Sequence, residues 1–129
     1  MMGRELTSHK VNGLNEKLKI VVMDEPGQGG ACHVYDIVTV EQTDADDDGS
    51  EIHCAIHFQN GPIQEFGVNG ISSEALLAIV EDRLVGFQSG QFACRENAVA
   101  LTKIQEAMMW LQKRTLDRMK RGVEGTHQK

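Results

Sequence analysis

The chain has 129 residues, 25% of them charged, and a formal net charge of −6. That is enough for one compact domain with a modest core, expected over residues 1–129, and too acidic overall to coat duplex nucleic acid. The opening Met-Met-Gly-Arg-Glu holds no apolar stretch of signal-peptide type, and no run approaches the ~20 apolar residues that span a bilayer, so a soluble cytoplasmic protein without membrane contact is expected.

Residues from about 15 to 70 read as β-structure. Leu18 to Asp24 is rich in β-branched residues and is broken by Pro26-Gly27-Gln28-Gly29-Gly30, which reads as a turn because a strand, from about Ala31 to Glu41, follows it. The acidic stretch Asp44 to Gly49 opens like a calcium loop, but Ala55 stands where the closing bidentate glutamate belongs, which leaves a solvated hairpin loop. Ile52, Cys54, Ile56 and Phe58 alternate with His53, Ala55 and His57, the pattern of a strand buried on one face. Asn60-Gly61 is a hairpin signal with Pro62 closing it, and Ile63 to Val68 is expected to return as the partner strand, completing an antiparallel sheet.

From Ser72 the period changes. Ser72 or Ser73 can cap a helix carrying Leu76, Leu77, Val80 and Leu84, which Gly86 and Gly90 should end. A second helix begins near Arg95 and meets no Gly or Pro until Gly122. Leu101, Ile104, Met108 and Leu111 form a 3,4-spaced seam that extends through Asn97 and Cys94 at one end and Thr115 and Arg118 at the other. A helix of roughly 27 residues is about 40 Å long, more than a small sheet and one shorter helix can cover, so self-association is expected. The fold class is therefore α+β: a small N-terminal antiparallel sheet, a two-helix hairpin over about 72–122 with a long second helix, and a tail over 123–129.

Neither catalysis nor a metal is indicated. Cys32, Cys54 and Cys94 are odd in number and widely spaced, and Cys32-His33 and His53-Cys54 would each present one ligand per strand face. No nucleophile sits in a recognisable elbow or general-base motif. No cofactor is called for, and a non-enzymatic protein is expected.

The charge distribution is more informative. Through Cys94 only Arg4, Lys10, Lys17, Lys19 and Arg83 are positive, whereas Arg95, Lys103, Lys113, Arg114, Arg118, Lys120, Arg121 and Lys129 follow. Arg114 and Arg118 lie one turn apart on one helix face, with Arg121 a turn further on, and such a pair can hold a pyrophosphate through charge-assisted hydrogen bonds. The competing account is a solvated basic last turn that favours the helix dipole. Phe87, Phe92 and Trp110 are of a type more often found in a core than as ligand platforms, although an aromatic in the Gly86 to Gly90 loop could stack on a purine.

The segments Phe87-Gln88, Phe92-Ala-Cys-Arg-Glu-Asn97, Ala100-Leu-Thr-Lys-Ile-Gln-Glu-Ala-Met-Met-Trp110, Arg114-Thr-Leu-Asp-Arg118 and Arg121-Gly-Val-Glu-Gly-Thr-His127 resemble the helical hairpin shared by the first-described phage Thoeris anti-defence sponges and the anti-CBASS nucleotide sponges. The resemblance covers roughly Ser72 to His127, and the preceding strands are similar to the Thoeris branch. It implies a phage protein in an infected bacterial cell, assembled as a dimer or hexamer, that binds cyclic ADP-ribose isomers and in some members cyclic di- or trinucleotides without degrading them. By the same resemblance Phe87 would stack on adenine, Asn97 would bond base or ribose, and Arg114 with Arg118 would hold phosphates, with Arg121 a turn beyond. Arg95 and Thr102 would belong to a cyclic oligonucleotide pocket. The chain has no Lys or Arg between Lys19 and Arg83, so a family site that draws a cation from the sheet is not carried over; His57 or Asn60 remain as polar groups there. The rivals are a phosphodiesterase acting on the same signals and a hairpin that binds a partner protein.

Overall fold

The protein is seen in a computed structural model that describes residues 3–27, 29–39 and 51–126. The chain forms two compact units that divide between Asn60 and Gly61.

The first unit is a four-stranded antiparallel meander in the order β1 (Glu5–Leu6), β2 (Leu18–Val22), β3 (Val34–Thr39), β4 (Glu51–His57). A five-residue helix, α1 (Gly13–Lys17), precedes β2, capped by the Asn12 side chain on the Asn15 amide; neither α1 nor β1 is signalled by hydrophobic periodicity. At the centre β-branched Ile20 pairs with Ile37 and Val21 stands opposite Asp36, and Val22 is 1% exposed, a burial that contributes about 2 kcal/mol. Tyr35 meets Phe58 edge to face at 5.7 Å. A bulge leaves His53 unpaired between the pairs Ile37–Cys54 and Val38–Ile52. The extra residue interrupts the alternation of faces: Ile56 and Phe58 are half-buried, but Cys54 is exposed, unlike the expected buried row.

Asp24 closes the β2–β3 connection. Its carboxylate accepts the amides of His33 (2.9 and 3.0 Å) and Val34 (3.0 Å) and lies 3.7 Å from His33 Nδ1. Burial raises its pKa, but the Val34 and His33 amides and the His33 ring outweigh that and hold it below the ordinary value. The glycine-rich segment is the turn expected: the Gly27 amide donates to the Ala31 carbonyl, and Gly30 has φ +89°. The acidic stretch 44–49 lies outside the described residues.

The second unit contains α2 (Ile63–Phe66), α3 (Ser73–Gln88) and α4 (Arg95–Lys120). The expected partner strand over 63–68 is instead the single turn α2. Asn60-Gly61 would need positive φ at both residues to form the tight hairpin turn, and only Gly61 has it, at +86°. Pro62 then occupies the cap of α2 with no amide to give a ladder, and the Phe66 ring fills the space beside Gly61 that a Cβ would need.

Ser72 caps α3 by accepting the Ala75 amide at 3.1 Å. The helix does not stop at Gly86 but runs on to Gln88, because a single helical glycine costs only about 1 kcal/mol. Cys94 caps α4 through its Sγ on the Asn97 amide, 3.4 Å. Along α4 the less exposed residues include Asn97, Leu101, Ile104, Met108, Leu111, Thr115 and Arg118, the 3,4-spaced seam, which packs on α3 where Leu77 and Leu84 are half-buried. Among the described residues no helix is long and apolar enough to cross a membrane.

Candidate functional site

The sequence-derived candidates fall into two groups on the second unit. Phe87, at the end of α3, is 41% exposed with the Arg83 guanidinium 5.5 Å above one face of its ring. Near it in sequence, Arg95 opens α4 and is exposed, Asn97 is half-buried on the seam, and Thr102 is exposed with its hydroxyl donating to the Ala98 carbonyl at 3.2 Å. Arg114, Arg118 and Arg121 stand towards the other end. Asn97 and Arg114 are seventeen residues apart in one continuous helix, about 25 Å along its axis. One nucleotide cannot touch both groups within a single chain.

The arginine end holds an open cavity of about 570 Å³ lined by Trp110, Lys113, Arg114, Asp117, Arg118 and Arg121. Its cations differ in their commitments. Arg114 is exposed, and its guanidinium makes no hydrogen bond or ion pair within the described residues. Lys113 donates to Asp117 at 2.9 Å, and this bond holds the Asp117 carboxyl below its usual range. Arg118 is 7% exposed. Its Nε meets Glu124 Oε2 at 3.1 Å, and its Nη2 donates to the carbonyls of Val123 (2.8 Å) and Thr126 (3.1 Å).

That clamp depends on the backbone after α4. Gly122 at φ +72° turns the chain back so that the Val123 amide reaches the Arg118 carbonyl at 3.0 Å, the glycine-dependent reversal common at helix ends. Gly125, at φ +81°, gives its carbonyl to the Gln64 amide, which ties the turn to α2. Arg118 therefore orders the tail as well as lining the cavity. Sequence reasoning placed it on the cationic face but had no signal for the tail, since Glu124 meets it only after a left-handed glycine. Trp110 and Lys113 were not among the expected ligand residues. Trp110 is 63% exposed rather than part of a core.

Residues 50–116 match the family described as the Acb2/Tad1 hairpin domain. This segment runs from the last strand through α3 and most of α4, and it contains Phe87, Arg95, Asn97, Thr102 and Arg114. The chain belongs to that family. It is also similar to "Thoeris anti-defense 1" of Bacillus phage SBSphiJ7, with 57% identity over 74 residues, which are 57% of this chain and 52% of that protein. The match thus spans about half the length of the curated relative. The tail clamp formed by Glu124 lies beyond the family match, as do Arg118 and Arg121.

Proposed function

We propose that this chain is a phage anti-defence sponge: it binds a cyclic ADP-ribose-type immune signal, such as glycocyclic ADP-ribose, and withholds it without degrading it. Cyclic di- or trinucleotides belong to the same ligand class. The observation that carries this is the cavity at the arginine end, where the uncommitted guanidinium of Arg114 stands beside Arg118, Arg121 and an exposed aromatic ring. Its size and mixed cationic and aromatic lining suit a small phosphorylated nucleoside. The name of the phage relative supports an anti-Thoeris role.

The separation of the two groups along α4 gives the site its second requirement. Phe87, Asn97, Arg95 and Thr102 can act on the same ligand as Arg114 only if a second copy brings its own hairpin tip to this end of the helix. Self-association as a dimer or hexamer supplies that, and the outward Met109, Leu116 and Met119, each more than half exposed, offer apolar area for it.

Calorimetric titration with cyclic ADP-ribose isomers, followed by heating the complex and chromatography of the released ligand, tests the proposal. Tight binding with intact release is expected. Arg114→Ala should cost about 1.5 to 3 kcal/mol of affinity, the worth of a charge-assisted hydrogen bond. Altered ligand would make this a phosphodiesterase, and no binding across cyclic ADP-ribose isomers and cyclic oligonucleotides would leave a protein-binding hairpin.

A further inference from the structure

The outward face of α4 carries Trp110, Arg114 and Asp117 at i, i+4 and i+7, and the C-cap Arg121 continues the stripe at i+11. Eleven residues separate its ends, about 16 Å. Trp110 is 63% exposed and makes no ring contact among the described residues, although it is the side chain whose burial would release most apolar area. It lines the same cavity as Arg114, one turn away. An exposed indole beside an uncommitted guanidinium is matched by a ligand that joins a flat π-system to an anion, which is a nucleoside phosphate. Asp117 lies within the stripe, but Lys113 already neutralises its carboxylate at 2.9 Å, so it does not cancel Arg114.

Resting on the sponge reading above, the geometry points to Trp110 as a base-contacting residue of that site: the nucleobase stacks on the indole while the phosphate sits on Arg114. Stacking of this kind accepts any base, because every base presents a π-face. Base recognition at the arginine end is then built into one helix of one chain, independently of Phe87.

Trp110 is the only tryptophan of the chain, so its fluorescence reports on the proposed contact directly. Full-length protein would be titrated with cyclic ADP-ribose and, separately, with inorganic pyrophosphate, which carries the anion without a base. Cyclic ADP-ribose should quench Trp110 in the wild type and in Phe87→Ala. Trp110→Ala should weaken cyclic ADP-ribose by about tenfold or more while leaving pyrophosphate unchanged, and Trp110→Phe should restore most of the loss. If both ligands bind in an Arg114-dependent manner but Trp110→Ala weakens neither or both equally, the base contact is overturned and the sponge reading stands. If neither ligand binds the wild type, the two fall together. If Trp110→Ala lowers the mass of the assembly in sedimentation and cyclic ADP-ribose leaves the wild-type fluorescence unchanged, the indole is a contact between copies and the proposal is wrong.

Discussion

Replacing Arg118 with alanine removes the guanidinium that joins the last turn of α4 to the tail. Among the acceptors that lose it are the Glu124 carboxylate at 3.1 Å and the Val123 and Thr126 carbonyls at 2.8 and 3.1 Å. The Glu124 side chain is 40% exposed and regains water, which lowers the penalty on that arm. The two carbonyls lose a charged donor that is itself buried. Taking the worth of hydrogen bonds to a charged group and discounting the exposed arm gives a loss of about 2 to 3 kcal/mol. Urea unfolding followed by far-ultraviolet circular dichroism measures it, with Arg118→Lys as the variant that keeps the charge but loses the fork. A cycle with Glu124→Ala should show coupling between the two positions. Stability of Arg118→Ala within about 0.5 kcal/mol of wild type, the range of an ordinary surface substitution, would refute the clamp. Arg114→Ala, by contrast, should lower ligand affinity without lowering stability, because Arg114 holds no partner within the described residues.

Two glycines should respond in opposite directions. Gly86→Ala, inside α3 with nothing within 4 Å of the added Cβ, should stabilise by about 0.5 to 1 kcal/mol. Gly125→Ala, at φ +81° with a Cβ 3.0 Å from Ile63, should destabilise by about 1 kcal/mol or more, and thermal melts of the pair check both signs. Asp24 predicts a pH dependence. Its folded pKa is depressed, so its stabilisation is present above the unfolded carboxylate value near ~3.9 and is lost as pH falls through the folded value. Wild type should therefore melt above Asp24→Asn at neutral pH, by a margin that shrinks below about pH 4; a margin constant across that window would contradict the assignment.

The seam of α4 was legible from sequence because 3.6-residue periodicity survives even where the seam turns polar: Asn97, Thr115 and Arg118 are less exposed in line with Leu101 and Leu111. The Ser72 cap and the central strands were legible on equally local grounds. Ile63 to Val68 was not, since its apolar pattern fits a strand or a helical turn, and the absence of a second positive φ at Asn60 decided between them. Gly86 shows the limit of reading glycine as a stop when residues on both sides hold helical geometry. At the site, Arg114 could be found from charge spacing alone. The commitment of Arg118 to the tail could not, because it rests on the reversal at Gly122, and Trp110 offered no pattern that separates a core side chain from an exposed one.

The same clamp divides the entropy of recognition unequally between neighbouring arginines. A free arginine side chain carries about 2 kcal/mol of rotamer freedom. For Arg118 that freedom is surrendered when α4 and its tail fold, so an anion entering the cavity meets a guanidinium already fixed in direction. Arg114 must be immobilised at the moment of contact. A chain whose tail could not reach back would present two equally mobile arginines in the same place, and both would then lose their rotamer freedom on meeting the anion.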